Sequence, residues 1–324
     1  GRERVEATSG KLITVFGGSG FVGRHVVRAL ARDGWRIRVA VRRPDLAGFL
    51  QPLGGVGQIQ AVQANLRYRW SVDRAIEGAD AVVNLVGILA QSGRQNFEAV
   101  HAFGARAVAE AARNAGIDRF VHVSAIGADP DSPALYGRTK AQGEAAVRAA
   151  LPGAVILRPS IVFGPEDDFF NRFGAMARIM PVLPVVGPDT RFQPVFVGDV
   201  AAAVALAAGG AVAGGTYELG GPEVKTFREC LELVNRETGR SRPIVPVPFC
   251  VAKAQARLLQ LLPKPPLTVD QVLMLQRDNV VSAEAKAERR TLEGLGIVPT
   301  SLAAVLPTFL WQYRPHGQFD GAPA

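Results

Sequence analysis

From residue 11 to about residue 163, short apolar runs alternate with longer stretches in which apolar residues recur at helical spacing. Apolar runs at 12–16, 36–41, 59–62, 81–86, 119–123 and 154–157 predict strands, and 22–33, 71–77, 96–114 and 136–150 predict helices. Strands that are apolar throughout and separated by helices predict a parallel sheet covered on both faces, with right-handed crossovers. Gly34, Gly78 and Gly116 stand where C-cap glycines end helices. The rhythm changes after Phe163. Residues 164–198 are rich in Pro, Gly and aromatics without a clear period, and Pro181, Pro184 and Pro188 argue against a long regular helix there. Further on, the pattern predicts helices at 200–208, 227–238 and 251–262, a short strand at 215–219, extended chain at 243–248, short helices over 267–313 and a loose tail at 314–324. The expected division is a sheet domain over 11–164 and a smaller, mostly C-terminal α/β lobe over 165–324, interleaved around 195–220.

The first strand runs into Gly17-Gly18-Ser19-Gly20-Phe21-Val22-Gly23, and a helix follows. Gly17, Gly20 and Gly23 on a strand–turn–helix are what a dinucleotide needs: its pyrophosphate approaches bare backbone at the positive end of a helix. The fold class is therefore a Rossmann-like, doubly wound parallel sheet. The second strand ends in Arg42-Arg43 with no acid before Asp45. An NAD site places an acid there to accept from the adenosine ribose, whereas an NADP site places arginine against the extra phosphate, so NADP(H) is expected over NAD(H). Asn65 and Leu66 follow strand three, where a side chain meets the adenine. Val86 and Gly87 follow strand four, beneath the middle of the cofactor.

Composition narrows the class without adding a motif. The chain of 324 residues is 48% hydrophobic and 20% charged, an ordinary globular balance. Its most apolar window, 200–213, is too short for a membrane helix, and residues 1–10 are too polar for a secretory signal. The formal charge of +8 comes mainly from arginine. No tract interleaves basic and aromatic residues as a nucleic-acid groove would, so an anionic surface is the partner the charge supports. Cys230 and Cys250 read as two reduced, partly buried thiols. His25, His101, His122 and His316 lack ligand spacing, and no metal is expected.

Tyr136 and Lys140 lie at i and i+4 on one predicted helix, a dozen residues after Ser124 at the end of strand five. A nearby ammonium favours phenolate, which lowers the tyrosine toward working range as a proton donor and acceptor, and the lysine can hold a nicotinamide ribose. Together with Arg158-Pro159, Ile161, Phe163-Gly164-Pro165 and Val197-Gly198-Asp199-Val200, these residues resemble the short-chain dehydrogenase/reductase superfamily of extended or atypical type, over roughly residues 11–220. Leu267 to Val272, Leu295-Gly296-Ile297 and Trp311 to Arg314 carry a narrower resemblance to the nucleotide-binding accessory subunits of respiratory complex I. That resemblance implies tightly held, structural NADPH, with Gly17 to Gly23, Arg42, Arg43, Asn65, Leu66, Val86, Gly87, Ser124, Tyr136, Lys140, Pro159 and Ile161 around it. It implies peripheral-arm subunits as partners, contact with anionic lipid headgroups, and a peripheral place on the cytoplasmic face of a bacterial inner membrane or the matrix side in mitochondria.

The chain departs from active relatives at three places. Phe16 precedes the first glycine, Ala125 and Ile126 stand where a carbonyl-polarising serine is usual, and His101 replaces a proton-relay asparagine. Two readings follow: nucleotide binding alone, with Tyr136, Lys140 and Ser124 vestigial, or a free-standing NADP-dependent reductase, epimerase or dehydratase that uses them. Phe169, Phe170 and Phe173 read as packing for the second lobe, Asp199 as a cap for a helix from Val200, and Glu166-Asp167-Asp168 as a solvated turn.

Overall fold

The computed structural model describes residues 2–87, 97–263 and 265–315. Its central sheet consists of β1 (Leu12–Phe16), β2 (Arg36–Val41), β3 (Ile59–Gln63), β4 (Ala81–Asn84), β5 (Arg119–Val123), β6 (Val155–Pro159) and β7 (Gly215–Leu219). The order is 7-6-5-4-1-2-3, with every pair parallel. The order reverses between β1 and β4, which opens a crevice at their carboxyl ends.

Alternation along each strand feeds two cores. Ile13, Val15, Val83, Val121 and Leu157 face one side, while Phe16, Val82, Phe120 and Ile156 face the other. Helix α1 (Arg2–Thr8) precedes the sheet, and the Thr8 hydroxyl donates to the carbonyl of Asp33. Helix α2 (Phe21–Arg32) covers the first face with Val26, Val27 and Leu30. Helices α3 (Arg69–Ile76), α4 (Ala105–Asn114) and α5 (Leu135–Ala150) cover the second through Val72, Val108 and Val147. The expected helix 96–114 begins outside the described residues. Within them it opens as a wide π-helical stretch, Glu98–Gly104, before α4. Gly34, Gly78 and Gly116 all take positive φ, as their helix-ending positions require.

Over 164–198, where the sequence shows no clear period and its prolines argue against a long helix, the chain forms an 11-residue helix, α6 (Phe169–Ile179), that fits between Pro165 and Pro181. Phe169, Phe170 and Phe173 do pack as expected, in a cluster with Phe163, Phe192 and Phe227. Asp167 is no solvated turn. It is buried, and its carboxylate accepts from the Gly164 and Asn171 N–H groups and the Asn171 amide. Burial nevertheless pushes its pKa up to about 6.

Helix α7 (Val197–Ala208) joins α2 on the first face. It starts before Val200, so Asp199 does not cap it; that carboxylate accepts instead from the Thr300 N–H at 2.7 Å and hydroxyl at 3.2 Å. Helices α8 (Phe227–Glu237), α9 (Phe249–Leu259) and α10 (Val269–Met274) follow, then shorter turns of helix. Leu292, Leu295 and Ile297 pack into the sheet core, and the Tyr313 hydroxyl donates to Asn171 on α6. The two thiols differ: Cys230 is wholly buried, which pushes its pKa up to about 12, and Cys250 is exposed.

Candidate functional site

The glycine turn lies at the carboxyl end of β1, and each glycine answers a different demand. Gly17 has φ +81°, and a Cβ there would stand 3.0 Å from the backbone of Leu85 and Val86. Gly23 lets α2 lie against the turn, since its Cβ would come within 2.5 Å of the Gly17 oxygen and the Gly18 carbonyl carbon. Gly18 faces inward between Val15, Val27 and Val39, so only its backbone can serve a ligand. Gly20 is exposed, has φ −78°, and a Cβ on it would meet nothing closer than the Gly17 oxygen at 3.7 Å. The protein itself thus places little demand on the absence of a side chain at Gly20. No side chain caps α2, and its first turn holds no acid. Ser19 and Phe21 border this open end, and Val22 packs down onto the core. Bare donors at a positive helix end, with open space in front, fit a pyrophosphate.

Arg42 and Arg43 are exposed at the end of β2, and Arg43 pairs with Asp45 at 3.2 Å. Arg24, on the first turn of α2, lays its guanidinium over the Phe49 ring. Asn65 uses its side chain within its own turn, accepting from the Arg67 N–H at 3.0 Å, while Leu66 packs on the second core. Strand β4 stops two residues before the expected end because the Asn84 side chain accepts the Val86 N–H at 3.2 Å. The Asn84 amide also meets His122 Nδ1 at 3.2 Å, and burial holds that histidine neutral with a pKa near about 3. This pair pins the chain beside Gly87. Pro159 ends β6 and accepts the Ile126 N–H, and Ile161 accepts that of Val195.

Tyr136 and Lys140 meet as their spacing predicts, the ammonium 5.8 Å from the ring centroid. Their titration differs from the expectation. Burial pushes the tyrosine up to about 12, and no lowering by the lysine offsets it. Burial also brings Lys140 down to about 8, although Glu144 opposes that shift. Among the described residues neither the Tyr136 hydroxyl nor the Lys140 ammonium has a hydrogen-bond partner. A Cβ on Gly87 would lie 2.9 Å from the Lys140 nitrogen, so bare backbone of the β4 loop faces the ammonium. Ribose hydroxyls would satisfy both groups. His101, on the π-helical stretch, sits under Tyr136 with ring centroids 5.2 Å apart, and its Nδ1 lies 3.0 Å from the Thr139 hydroxyl. It packs against the pair from below.

Ser124 does not aim at this space. Its hydroxyl donates at 2.6 Å to the wholly buried carboxylate of Glu144. The Glu144 carboxylate also takes Arg158 at 2.6 Å and Arg148 at 2.9 Å. A serine whose one proton is committed to a carboxylate has none to offer a substrate oxygen.

Sequence reasoning missed Glu144 and Asp270. The carboxylate of Asp270, on α10, accepts the N–H groups of Leu135 at 2.6 Å and Tyr136 at 3.0 Å. It caps the helix that carries Tyr136 and Lys140 from more than a hundred residues away, where Ala134 offers no cap of its own. Only the resemblance at Leu267 to Val272 marked that segment, and no local pattern could have named its target.

A family model described as NAD dependent epimerase/dehydratase matches residues 13–220. The chain is similar to the mitochondrial NADH-ubiquinone oxidoreductase 40 kDa subunit of Neurospora crassa, 34% identical over 97% of this chain and 83% of that protein. It is also similar to a ceramide reductase of Caulobacter vibrioides, 40% identical over 191 residues, 59% of each chain. Among solved structures, a dTDP-glucose 4,6-dehydratase from Streptomyces venezuelae with NAD bound superposes with a TM-score of 0.71 at 21% identity, over 94% of this chain and 97% of that one.

Proposed function

Because the chain belongs to the NAD dependent epimerase/dehydratase family, and within it to the group of NADH-ubiquinone oxidoreductase 40 kDa subunits, we propose that it is an NADP(H)-binding accessory subunit of respiratory complex I. In this reading the nucleotide is a structural element. Gly17 to Gly23 seat the pyrophosphate, Arg42 with Arg43 takes the adenosine phosphate, and Asn65 and Leu66 border the adenine. Val86, Gly87, Pro159 and Ile161 line the middle, the expected Ser124 being turned away toward Glu144, and Tyr136 and Lys140 hold the nicotinamide ribose. A nicotinamide bound there supplies hydride chemistry in principle; the residues of this chain supply binding. The observation that carries the reading is Ser124 tied to Glu144 beside two groups with no hydrogen-bond partner among the described residues, Tyr136 and Lys140, suited to a ribose. A ligand that binds only the folded state stabilises it by several kcal/mol, roughly, when its concentration far exceeds Kd. The lobe over 165–324 then faces the peripheral-arm subunits, on the cytoplasmic side of a bacterial inner membrane or the matrix side of a mitochondrial one.

Gentle isolation of the native protein is the test. Complex I subunits should travel with it, and denaturation should release NADP(H). Release of no pyridine nucleotide would overturn the reading. Replacing Arg42 and Arg43 together by Ala should weaken NADPH binding about tenfold or more and NADH binding hardly at all, since each charge-assisted contact to phosphate contributes about 1.5–3 kcal/mol. Equal losses for both nucleotides would show that these arginines do not read the phosphate.

The identity to the ceramide reductase supports a second reading, an NADPH-dependent reductase of a carbonyl on a long-chain substrate. Tyr136 would donate its proton to the substrate oxygen and Lys140 would steady the hydroxyl and the ribose. Tyr136→Phe should then abolish carbonyl reduction, by at least a hundredfold, while NADPH is still released on denaturation. If the unsubstituted protein reduces no such carbonyl, this reading falls.

A further inference from the structure

We infer, resting on the nucleotide reading above, that residues 268–281 form a strap across the nicotinamide half of the site, and that seating of this strap and binding of NADP(H) are one coupled equilibrium. The strap touches the sheet domain at four points. The Asp270 carboxylate takes the first two N–H groups of α5, from Leu135 and Tyr136, on one oxygen each. Arg277 Nη1 donates to Asp129 at 2.9 Å, in the loop between β5 and α5. The Asn279 amide donates to the Ile126 carbonyl at 3.1 Å in the same loop, and the Ser160 hydroxyl, just past β6, donates to Asn279 Oδ1 at 2.6 Å. Between these points Met274 covers Gly127, whose Cβ would stand 3.0 Å from Met274 Cε. The other edge of the strap belongs to the smaller lobe: the Asn279 N–H donates to the Arg191 carbonyl at 2.7 Å, and Asp278 pairs with Arg191 at 2.9 Å.

Two features turn these contacts into a coupling. First, α5 depends on the strap for its cap. Ala134 stands at the N-cap position and supplies no side-chain acceptor. With the strap lifted, the Leu135 and Tyr136 N–H groups lose their acceptor, and the first turn of α5 frays. A frayed turn cannot present the Tyr136 hydroxyl and the Lys140 ammonium to one ribose. Second, the strap is lightly anchored. Of residues 268–281 only Val272 and Val281 are buried, each in a small cluster apart from the three main cores. Met274 aside, its hold on the loop after β5 up to the start of α5 is polar, and the Arg277–Asp129 pair, with side chains 52% and 38% exposed, adds little. Segments with few buried apolar contacts open far more readily than the whole fold. A nucleotide that prefers the strapped form draws the segment down, and by linkage the seated strap raises nucleotide affinity by the same factor, typically about 5–150-fold.

Hydrogen exchange on the full-length protein, stripped of nucleotide and then with NADPH restored, reads the coupling without any substitution. Amides of residues 269–277 should exchange about tenfold more slowly with NADPH, while those of α8, in the core of the lobe, should not change. Asp270→Asn keeps the shape of the side chain but turns an amide N–H toward one of the two helix N–H groups. It should weaken NADPH binding about tenfold and abolish the nucleotide-dependent protection. Arg277→Ala, at an exposed position, should melt as the parent does and weaken NADPH about twofold. Asp199→Asn is the control. It loosens Thr300 in the same lobe without touching α5, so it should lower the melting temperature and leave NADPH affinity within about twofold of the parent. Equal exchange with and without NADPH, or parental affinity in Asp270→Asn, would overturn the coupling and leave the nucleotide reading standing. If Asp270→Asn does not fold, parental affinity in Arg277→Ala does the same. A loss in Asp199→Asn as large as that in Asp270→Asn would show general loosening of the lobe and would also overturn it. A parent that binds no NADPH overturns both readings.

Discussion

Gly20→Val should leave the fold intact and remove dinucleotide binding, while Gly23→Ala should break the fold itself. The two positions belong to one motif, yet their surroundings are opposite. A Cβ on Gly20 meets no protein atom closer than 3.7 Å, and its φ of −78° suits any residue. Stability should therefore move by less than about 1 kcal/mol. The added side chain fills the space in front of the α2 N-terminus, where a pyrophosphate must touch backbone, so affinity should fall at least a hundredfold, about 3 kcal/mol. At Gly23 the added carbon meets the Gly17 oxygen and the Gly18 backbone at 2.5 Å. Backbone in a tight turn cannot step aside as a side chain can, and the expected loss is about 3 kcal/mol or more, at the upper end for overpacking. Thermal melts with and without NADPH, beside direct titration of the nucleotide, separate the two. Parental affinity in Gly20→Val would show that the turn is not where the dinucleotide sits.

The sheet was legible in the sequence because its strands are apolar on both faces and each is set off by glycine or a polar turn. The glycine turn was legible for the same reason: Gly17 and Gly23 are demanded by local geometry, and local geometry leaves a local trace. Helix α6 was not, because its prolines lie just outside it and its aromatics serve a core assembled from α8 and the C-terminal segment. Asp199 and Asp167 were misread alike. A carboxylate beside a helix start usually caps it or faces water, but these two bind Thr300 and Asn171. Tyr136 and Lys140 were found by spacing, whereas the protonation of the tyrosine depends on burial that spacing does not encode. Pairings such as Asp270 with the start of α5, or Glu144 with Arg158, are decided by where the chain returns.

Glu144→Gln should cost about 3 kcal/mol at neutral pH, the low end of the penalty for breaking a buried ion pair, because the side chains of Arg158 and Arg148 stay 23% and 47% exposed. The carboxylate is wholly buried on α5, one turn beyond Lys140, and gathers Ser124, Arg148 and Arg158. Burial alone would raise its pKa; the hydrogen bonds and charge of Arg158, then the Ser124 hydroxyl and the Arg148 charge, outweigh it and set the pKa below the ordinary glutamate value. A group whose folded pKa is depressed lends stability that is complete above its unfolded pKa and disappears as pH falls through the folded one. The parent should therefore lose stability on acidification, and Glu144→Gln should show a shallower acid limb as well as a lower plateau. Among the described residues, Arg158 would retain Glu218 as its ion-pair partner, at 3.6 Å. Ser124→Ala is the control: it removes one hydroxyl from the same cluster, and should cost about 1 kcal/mol with nucleotide binding unchanged. Melting curves from pH 3 to pH 8 for the three proteins decide the matter. If Glu144→Gln follows the parent along the whole curve, the carboxylate does not hold Ser124, and that hydroxyl regains its place among the groups able to polarise a substrate carbonyl.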